Sequence, residues 1–369
     1  MNILVTGTKG FVGKNLVANL KALGYENIFE YDVDSPESAL AEYAAKCDFV
    51  FHLAGVNRPQ NTAEFMEGNF GFTSTLLAEL KKNSNKAPVI ISSSIQAALD
   101  NPYGQSKKAG EDLMFEYSRL TGAPVFVFRL PNLFGKWSRP NYNSAVATFC
   151  HNIARGLPIT VNDREANVSL LYIDDLVKAL IKLLKNDATR DGDFCVCEPV
   201  YNVKLGRIAD LLYAFKESRT KLAVPNMADD FEAKLHSTYL SFIPEDDFAY
   251  ALKMNVDDRG SFTEFVRTSD RGQFSVNVAK PGIVKGNHWH NSKNEKFLVV
   301  SGKGVIRFRK IGEENVIEYR VSGEKLEVLD IPTGFTHNIE NIGDTDLVTL
   351  MWANEAFDPQ DPDTFFLKV

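Results

Sequence analysis

Cysteine is scarce in this chain. Its four residues, Cys47, Cys150, Cys195 and Cys197, are too few and too scattered for a disulfide framework. Cys195 and Cys197 alternate within Phe194-Cys195-Val196-Cys197, where a strand would turn both to one face. With no second cysteine pair they read as buried thiols rather than metal ligands. Long apolar runs are missing as well. No stretch approaches the roughly 20 residues needed to cross a bilayer, and no basic segment followed by an apolar core opens the chain; the expected location is therefore cytoplasmic, with no membrane partner. Basic clusters are also absent, and the net charge of −7 gives a surface that repels a phosphate backbone, which argues against nucleic acid. No internal repeat or low-complexity tract is visible.

What remains is an ordinary globular composition, 44% hydrophobic and 24% charged, spread over 369 residues, a length at which one core usually gives way to two. Through the first 180 or so residues, apolar runs rich in Val, Ile and Phe alternate with helical periods, as in strand-helix-strand units around a parallel sheet. The strands expected are Ile3–Thr6, Asn27–Tyr31, Phe49–Leu53, Val89–Ser92 and Val125–Arg129, with helices such as Val12–Leu23 and Thr73–Lys82. This is a doubly wound α/β sheet. An amphipathic segment, Asp174–Lys185, is expected to cover part of a substrate cleft. Past Ser241–Glu245 the texture changes to short strands, among them Ser275–Ala279, Lys296–Val300, Val305–Arg309 and Val348–Trp352, punctuated by glycine turns. Two domains are therefore expected, residues 1–243 as α/β and residues 244–369 as an all-β barrel.

Gly7-Thr8-Lys9-Gly10-Phe11-Val12-Gly13 sits where a strand ends and a helix begins. Such glycines permit the tight turn, the approach of backbone to a pyrophosphate and close helix packing, while the first helical N–H groups face the phosphates. Asp32 closes the second expected strand, where a carboxylate accepts a hydrogen bond from an adenosine ribose. Further on, Tyr103 and Lys107 are four residues apart and share a helix face. That spacing lets the ammonium lie near the phenol, favour its ionised form and reach the nicotinamide ribose, so that the tyrosine can exchange a proton with a substrate carbonyl as hydride arrives. Ser92-Ser93-Ser94 ends the preceding strand, and Ser94, rather than Ser93, is the hydroxyl expected to hold a ketone oxygen.

These motifs, with Leu53-Ala54-Gly55, Asn69, Arg129-Leu130-Pro131-Asn132 and Tyr172-Ile173-Asp174-Asp175 following in order, resemble the extended short-chain dehydrogenase/reductase family of nucleotide-sugar enzymes. The resemblance implies Ser94, Tyr103 and Lys107 as the catalytic trio. It also implies a dinucleotide site built from Gly7, Lys9, Gly10, Phe11, Val12, Gly13, Asp32, Leu53, Ala54, Arg58, Tyr103 and Lys107, and it turns Asn132 toward a sugar nucleotide. Only eight residues separate Ser94 from Tyr103, which shortens one wall of the substrate pocket. Asp32 would repel a 2′-phosphate, whereas the cations Lys9 and Arg58 would attract one. Lys9 immediately before the second glycine resembles the NADPH-using members, and NADPH is the cofactor expected.

In the second half, His288 and His290 alternate along one expected strand, with Glu295 and His337 available from its neighbours. Three imidazoles and a carboxylate suit zinc or another divalent ion with an open position left for water or substrate. Gly282, His288, His290, Glu295 and Gly302, then Pro332, Gly334, His337 and Asn341, resemble the two motifs of the cupin superfamily, a jelly-roll barrel. Leu326 stands where the second motif usually opens with glycine. Asp258-Arg259-Gly260-Ser261-Phe262 and Lys285-Gly286-Asn287-His288 are also similar to the metal-free 4-keto-sugar epimerases, in which the residue corresponding to His288 acts as a base. Two roles thus compete for His288.

Reductase followed by epimerase barrel resembles the bifunctional enzymes of capsular polysaccharide synthesis. The resemblance implies a UDP-linked 4-keto-6-deoxy amino sugar as substrate, epimerised at carbon 3 by the barrel and reduced at carbon 4 by the α/β domain, in a homodimer. The rival readings are a zinc-braced barrel that only dimerises, and an α/β domain that is a dehydratase or 4-epimerase regenerating its bound cofactor.

Overall fold

The apolar runs of the first part become short strands, those at the centre of the main sheet parallel and buried on both faces, in the computed structural model, which describes residues 1–369 other than Asn186, Ser269 and Asp361. The strands are β1 (Ile3–Thr6), β2 (Ile28–Tyr31), β3 (Phe49–His52), β4 (Val89–Ser94), β5 (Val125–Leu130), β6 (Asn132–Phe134), β7 (Asn167–Tyr172), β8 (Arg190–Asp191), β9 (Phe194–Cys195) and β10 (Val200–Lys204). Between them lie α1 (Phe11–Ala22), α2 (Glu37–Lys46), α3 (Ala63–Phe65), α4 (Phe72–Lys82), α5 (Pro102–Thr121), α6 (Ala145–Ala154) and α7 (Ile173–Lys182), followed by α8 (Leu205–Lys221) and α9 (Asp230–Leu240). The main sheet has the order β2-β1-β3-β4-β5-β9-β8, with only β8 antiparallel to its neighbour, and β10-β7-β6 form a small second sheet.

Side-chain alternation divides the core. Ile3, Val5, Phe49, Phe51, Ile90, Phe126 and Phe128 pack with Leu16 and Leu20 of α1 and with Leu176, Val177 and Leu180 of α7. Their neighbours Leu4, Val50, Val89, Ile91 and Val127 pack with Leu40 of α2, Leu76 and Leu80 of α4 and Met114 of α5. Strands covered on both faces read as continuous apolar runs, which is why they were legible. Within Asp174–Lys185 the apolar stripe of α7 packs on this core. Cys195 and Cys197 both pack on this same core, although β9 itself ends at Cys195. Cys195 is buried and Cys197 only partly so, and burial pushes the Cys197 thiol up to about 11.

Two compact units emerge, Met1–Tyr213 with Asp229–Pro244, and Ala214–Ala228 with Glu245–Val369. The second unit therefore draws in a segment upstream of residue 244. The physical cause is strand-like pairing, since Arg267 N–H donates to Leu222 O at 2.6 Å and Val224 N–H to Arg267 O at 3.0 Å.

The second unit holds β11 (Asn255–Asp257), β12 (Gly260–Arg267), β13 (Gln273–Ala279), β14 (Val284–Trp289), β15 (Glu295–Ser301), β16 (Lys303–Lys310), β17 (Val316–Ser322), β18 (Val328–Ile331), β19 (Phe335–Asn341), β20 (Leu347–Ala353) and β21 (Phe365–Phe366). They form two antiparallel sheets, β11-β12-β13-β20-β15-β18 and β17-β16-β19-β14-β21, the all-β architecture expected of a cupin. Phe297, Val299, Ile306, Phe308, Ile331, Ile339 and Leu347 make its apolar core. Gln273, Ser275, Asn277 and Thr349 are buried on β13 and β20. Among the described residues no helix is long and apolar enough to cross a membrane.

Candidate functional site

The first site forms at the carboxyl ends of β1, β3 and β4, where an open α/β sheet binds its ligands. Gly7 leaves β1 with φ +74°, and a Cβ there would lie 2.7 Å from the Ala54 backbone, so the β1 turn touches the exit of β3 and admits no side chain. Gly10 caps α1 with no side-chain hydrogen bond, leaving the first-turn amides without a side-chain acceptor. Phe11 and Val12 pack against the core, so their contribution to a phosphate cradle is main-chain only. Glycine turn, helix start and side-chain-free approach together fit a dinucleotide.

Asp32 follows β2 directly. Its carboxylate accepts the Lys9 N–H at 2.7 Å and the Val33 N–H at 2.8 Å, and thereby ties the glycine turn to the β2 end. The Lys9 ammonium is ion-paired with Asp34, while Arg58 is exposed. Leu53 and Ala54 are fixed by β1, through Leu53 N–H to Thr6 O at 3.2 Å and Ala54 N–H to Thr6 Oγ1 at 3.3 Å.

Beneath this loop lies His52, which no sequence pattern singled out. Its ring is buried, with Nδ1 2.8 Å from Thr6 Oγ1 and Nε2 2.8 Å from Thr73 Oγ1. Burial, and then the nearby Lys107 charge, push it down to about 3, so the ring is neutral. Thr73 Oγ1 donates to Asn69 O at 2.5 Å; it therefore accepts from His52 Nε2–H, and Nδ1 accepts from Thr6. Asn69 sits in a π-helical turn, Met66–Gly71, between α3 and α4. Its side chain accepts from Val56 N–H at 2.9 Å and donates to Val56 O at 3.1 Å and to Ser106 Oγ at 2.9 Å, joining the β3 loop to α5.

Asn101 caps α5 by accepting the Gly104 N–H at 2.8 Å, with Pro102 in the first turn, and the helix carries Tyr103, Lys107 and Glu111 on one face. The Tyr103 phenol donates to Asn57 Oδ1 at 3.0 Å, and its ring packs 5.5 Å from that of Phe65. Burial raises the phenol above its ordinary value and the Ser94 hydroxyl beside it offsets part of that rise. Lys107 donates to Ser92 O at 3.1 Å and lies 5.8 Å from the Tyr103 ring centre. Burial depresses its pKa to about 8, against the opposing pull of Glu111. The Lys107 ammonium is thus directed to the Ser92 carbonyl, while burial raises the Tyr103 phenol. Ser94 faces this cluster. Ser93 does not, since its hydroxyl donates to Glu111 Oε1 at 2.6 Å.

Glu111 is fully buried and receives Arg129 through two hydrogen bonds, 2.9 Å and 2.7 Å. Replacing Glu111 with Leu leaves a guanidinium unpaired at a largely covered position, and a loss of about 3 kcal/mol is expected, read as a shift of the urea midpoint. An unchanged midpoint would show the pair to be dispensable.

The second site is built within the β unit. A β-bulge between Gly286 and His288, with Asn287 at φ +62°, turns His288 toward His337 on the paired strand β19. His290 follows the end of β14, and Glu295 opens β15. One ligand atom from each of His288, His290, Glu295 and His337 lies within 4.8 Å of all the others. Glu295 Oε2 is 3.4 Å from His290 Nε2 and 3.3 Å from His337 Nε2, and these three atoms are buried without a hydrogen-bond partner among the described residues. Buried polar atoms are normally satisfied, so converging orphans of this donor set fit a divalent cation. Burial opposes the charge on Glu295, but the two imidazoles hold its carboxyl at about 2. Burial and the His337 ring bring His288 down to about 4.

Residues 3–203 match the NAD dependent epimerase/dehydratase family. The chain belongs to that family. Residues 255–365 match the polysaccharide biosynthesis C-terminal domain. Over 369 residues the chain is 45% identical to the UDP-2-acetamido-2,6-beta-L-arabino-hexul-4-ose reductase of Pseudomonas aeruginosa, covering 100% of this chain and 99% of that protein. The capsular polysaccharide assembling protein CapF from Staphylococcus aureus has the same fold over 100% of both chains, with a TM-score of 0.95 and 54% identity. The structure of RMD from Pseudomonas aeruginosa complexed with NADPH covers 66% of this chain and all of its own at TM-score 0.51 and 23% identity, a likeness of fold alone.

Proposed function

We propose that the chain is a cytoplasmic bifunctional nucleotide-sugar enzyme of capsular polysaccharide synthesis, leading toward UDP-N-acetyl-L-fucosamine. Residues 244–369 would epimerise carbon 3 of a UDP-2-acetamido-2,6-dideoxy-4-hexulose. Residues 1–243 would then reduce the carbon 4 ketone to give UDP-2-acetamido-2,6-dideoxy-L-talose. The observation that carries the reading is the half-buried Tyr103 phenol beside Ser94, with Lys107 5.8 Å from the ring centre, in a chain 45% identical throughout to a protein named a hexul-4-ose reductase.

In this reading Ser94 donates a hydrogen bond to the ketone oxygen and Tyr103 supplies the proton that converts it to a hydroxyl. Lys107 holds the nicotinamide ribose, and Gly7, Gly10, Gly13 and Asp32 hold the pyrophosphate and the adenosine end. NADPH, when bound, supplies the hydride to carbon 4. NADPH is favoured through Lys9 and Arg58; because Lys9 is paired with Asp34, the preference rests largely on Arg58. Titration is expected to show NADPH binding more tightly than NADH, and NADH tighter by tenfold, about 1.4 kcal/mol, sinks the preference. Stoichiometric NADPH consumption is expected, whereas turnover without added cofactor points to an epimerase or dehydratase.

In the barrel, His288, His290, Glu295 and His337 would hold zinc or another divalent ion. The ion, when bound, polarises the carbon 4 ketone and so acidifies the adjacent C–H. A base would remove that proton and a donor would return one to the opposite face. The full-length protein in deuterated water, with keto-sugar and without NADPH, is expected to place deuterium at carbon 3. Reduction that persists with no such exchange removes the epimerase half and leaves the barrel a bracing module. A homodimer through the barrels is consistent with β17, an edge strand that exposes Val316, Ile317 and Tyr319.

A further inference from the structure

The segment Pro362–Val369 lies along the residues that carry the imidazole cluster. Phe366 pairs with His288 across the β14–β21 ladder, and the Phe365 ring packs 4.9 Å from that of Trp289. Leu367 N–H donates to Asn287 O at 2.9 Å. At the other end of the segment a single residue makes five contacts. The Asp363 carboxylate accepts the N–H groups of Asn291 at 2.9 Å, Ser292 at 2.9 Å and Lys293 at 2.8 Å, and the Ser292 hydroxyl at 3.1 Å. Its carbonyl oxygen lies 2.6 Å from His290 Nδ1. The Lys293 ammonium, on a residue only 5% exposed, donates to Pro362 O at 2.7 Å.

Asp363 has φ +37°, a left-handed conformation that Asp and Asn tolerate better than other side chains. Such strain persists where the surroundings impose it, and here the three amides impose it, aiming the Asp363 carbonyl at the imidazole. A carbonyl only accepts, so a proton resides on His290 Nδ1, and Nε2, 3.4 Å from Glu295 Oε2, is left as the ring nitrogen available to a cation. Without that contact the ring would be free to adopt the other tautomer or to flip, and the four donor atoms would no longer converge.

We infer that Asp363 is a positioning residue for the divalent-cation site, holding His290 in the tautomer and orientation that direct Nε2 into the cluster. The inference rests on the reading of His288, His290, Glu295 and His337 as metal ligands. A partner of this kind commonly changes metal affinity by about 10–100-fold.

The test uses full-length protein stripped of metal, with Co(II) and Zn(II) as probes. Co(II) is followed by its visible absorption, Zn(II) by competition with a chromophoric chelator, and thermal unfolding of the stripped proteins is recorded separately. Asp363→Ala is expected to weaken Zn(II) binding about 10–100-fold and to alter the Co(II) spectrum. Asp363→Asn, which keeps an oxygen acceptor and the left-handed tolerance, is expected to restore most of the affinity and remains informative should the alanine variant fail to fold. Zn(II) affinity in both variants within about twofold of the parent, whatever their unfolding temperature, overturns the inference and reduces Asp363 to a structural clamp. A parent protein that binds neither ion overturns the metal reading itself and the inference with it. Binding lost in His290→Ala but unaltered in Asp363→Ala keeps the former and overturns the latter.

Discussion

Tyr103→Phe lowers the rate of ketone reduction by about 10²–10⁴-fold, the contribution of a positioned proton donor, while cofactor affinity changes by less than about 0.5 kcal/mol. The asymmetry follows from what the side chain touches. Its hydroxyl donates to Asn57 Oδ1 at 3.0 Å and lies beside Ser94, while its ring packs against Phe65 and lies 5.8 Å from the Lys107 ammonium. Phenylalanine keeps the ring contacts and removes the proton. Single-turnover oxidation of NADPH gives the rate, and quenching of intrinsic fluorescence gives the affinity. Affinity that falls in step with rate would falsify the assignment of Tyr103 as donor and indicate a collapsed loop instead. Lys107→Met should behave differently, weakening cofactor binding as well as rate, because the ammonium is held by Ser92 O at the place proposed for the ribose.

His290→Ala empties the cation site and removes the stability linked to it. At a free metal concentration about a thousandfold above the dissociation constant, binding stabilises the folded state by about 4 kcal/mol, and that increment should vanish. The measurement is a pair of unfolding curves with and without chelator. The parent shifts and the variant does not, while elemental analysis finds metal in the parent alone. The physical ground is the set of partnerless atoms, His290 Nε2, Glu295 Oε2 and His337 Nε2, which no hydrogen atom among the described residues satisfies. A variant with undiminished metal content excludes His290 from the ligand set.

Much of the architecture was readable because it rests on short-range pattern. The parallel strands are apolar on consecutive residues, and both clusters of core side chains follow from that. The face carrying Tyr103 and Lys107 was readable from their four-residue spacing. The imidazole cluster was readable from His288, His290, Glu295 and His337 because two of the four lie two residues apart and strand pairing supplies the others. What escaped was long-range. Asn57 meets Tyr103 across 46 residues and Asp363 meets His290 across 73, and neither spacing leaves a local mark. His52 reads as one more strand residue until Thr6 and Thr73 flank its ring. Glu111 did leave a signal, the next i+4 step after Tyr103 and Lys107. The amphipathic stripe of α7 recorded that the helix packs, not what it packs against.

The wide turn at Met66–Gly71 also bears on how this scaffold tolerates change in length. A π-turn accommodates one residue more than ordinary winding. Excising one residue there would let α3 and α4 fuse into a regular spiral with little loss of backbone bonding. Asn69 would then rotate by about 100°, out of reach of Val56 and Ser106. Such a shortened chain would still fold its sheet, yet the strand-to-helix brace under the proposed reducing centre would be gone. Tolerance to point substitution and tolerance to deletion should therefore diverge sharply at this one loop of the helix.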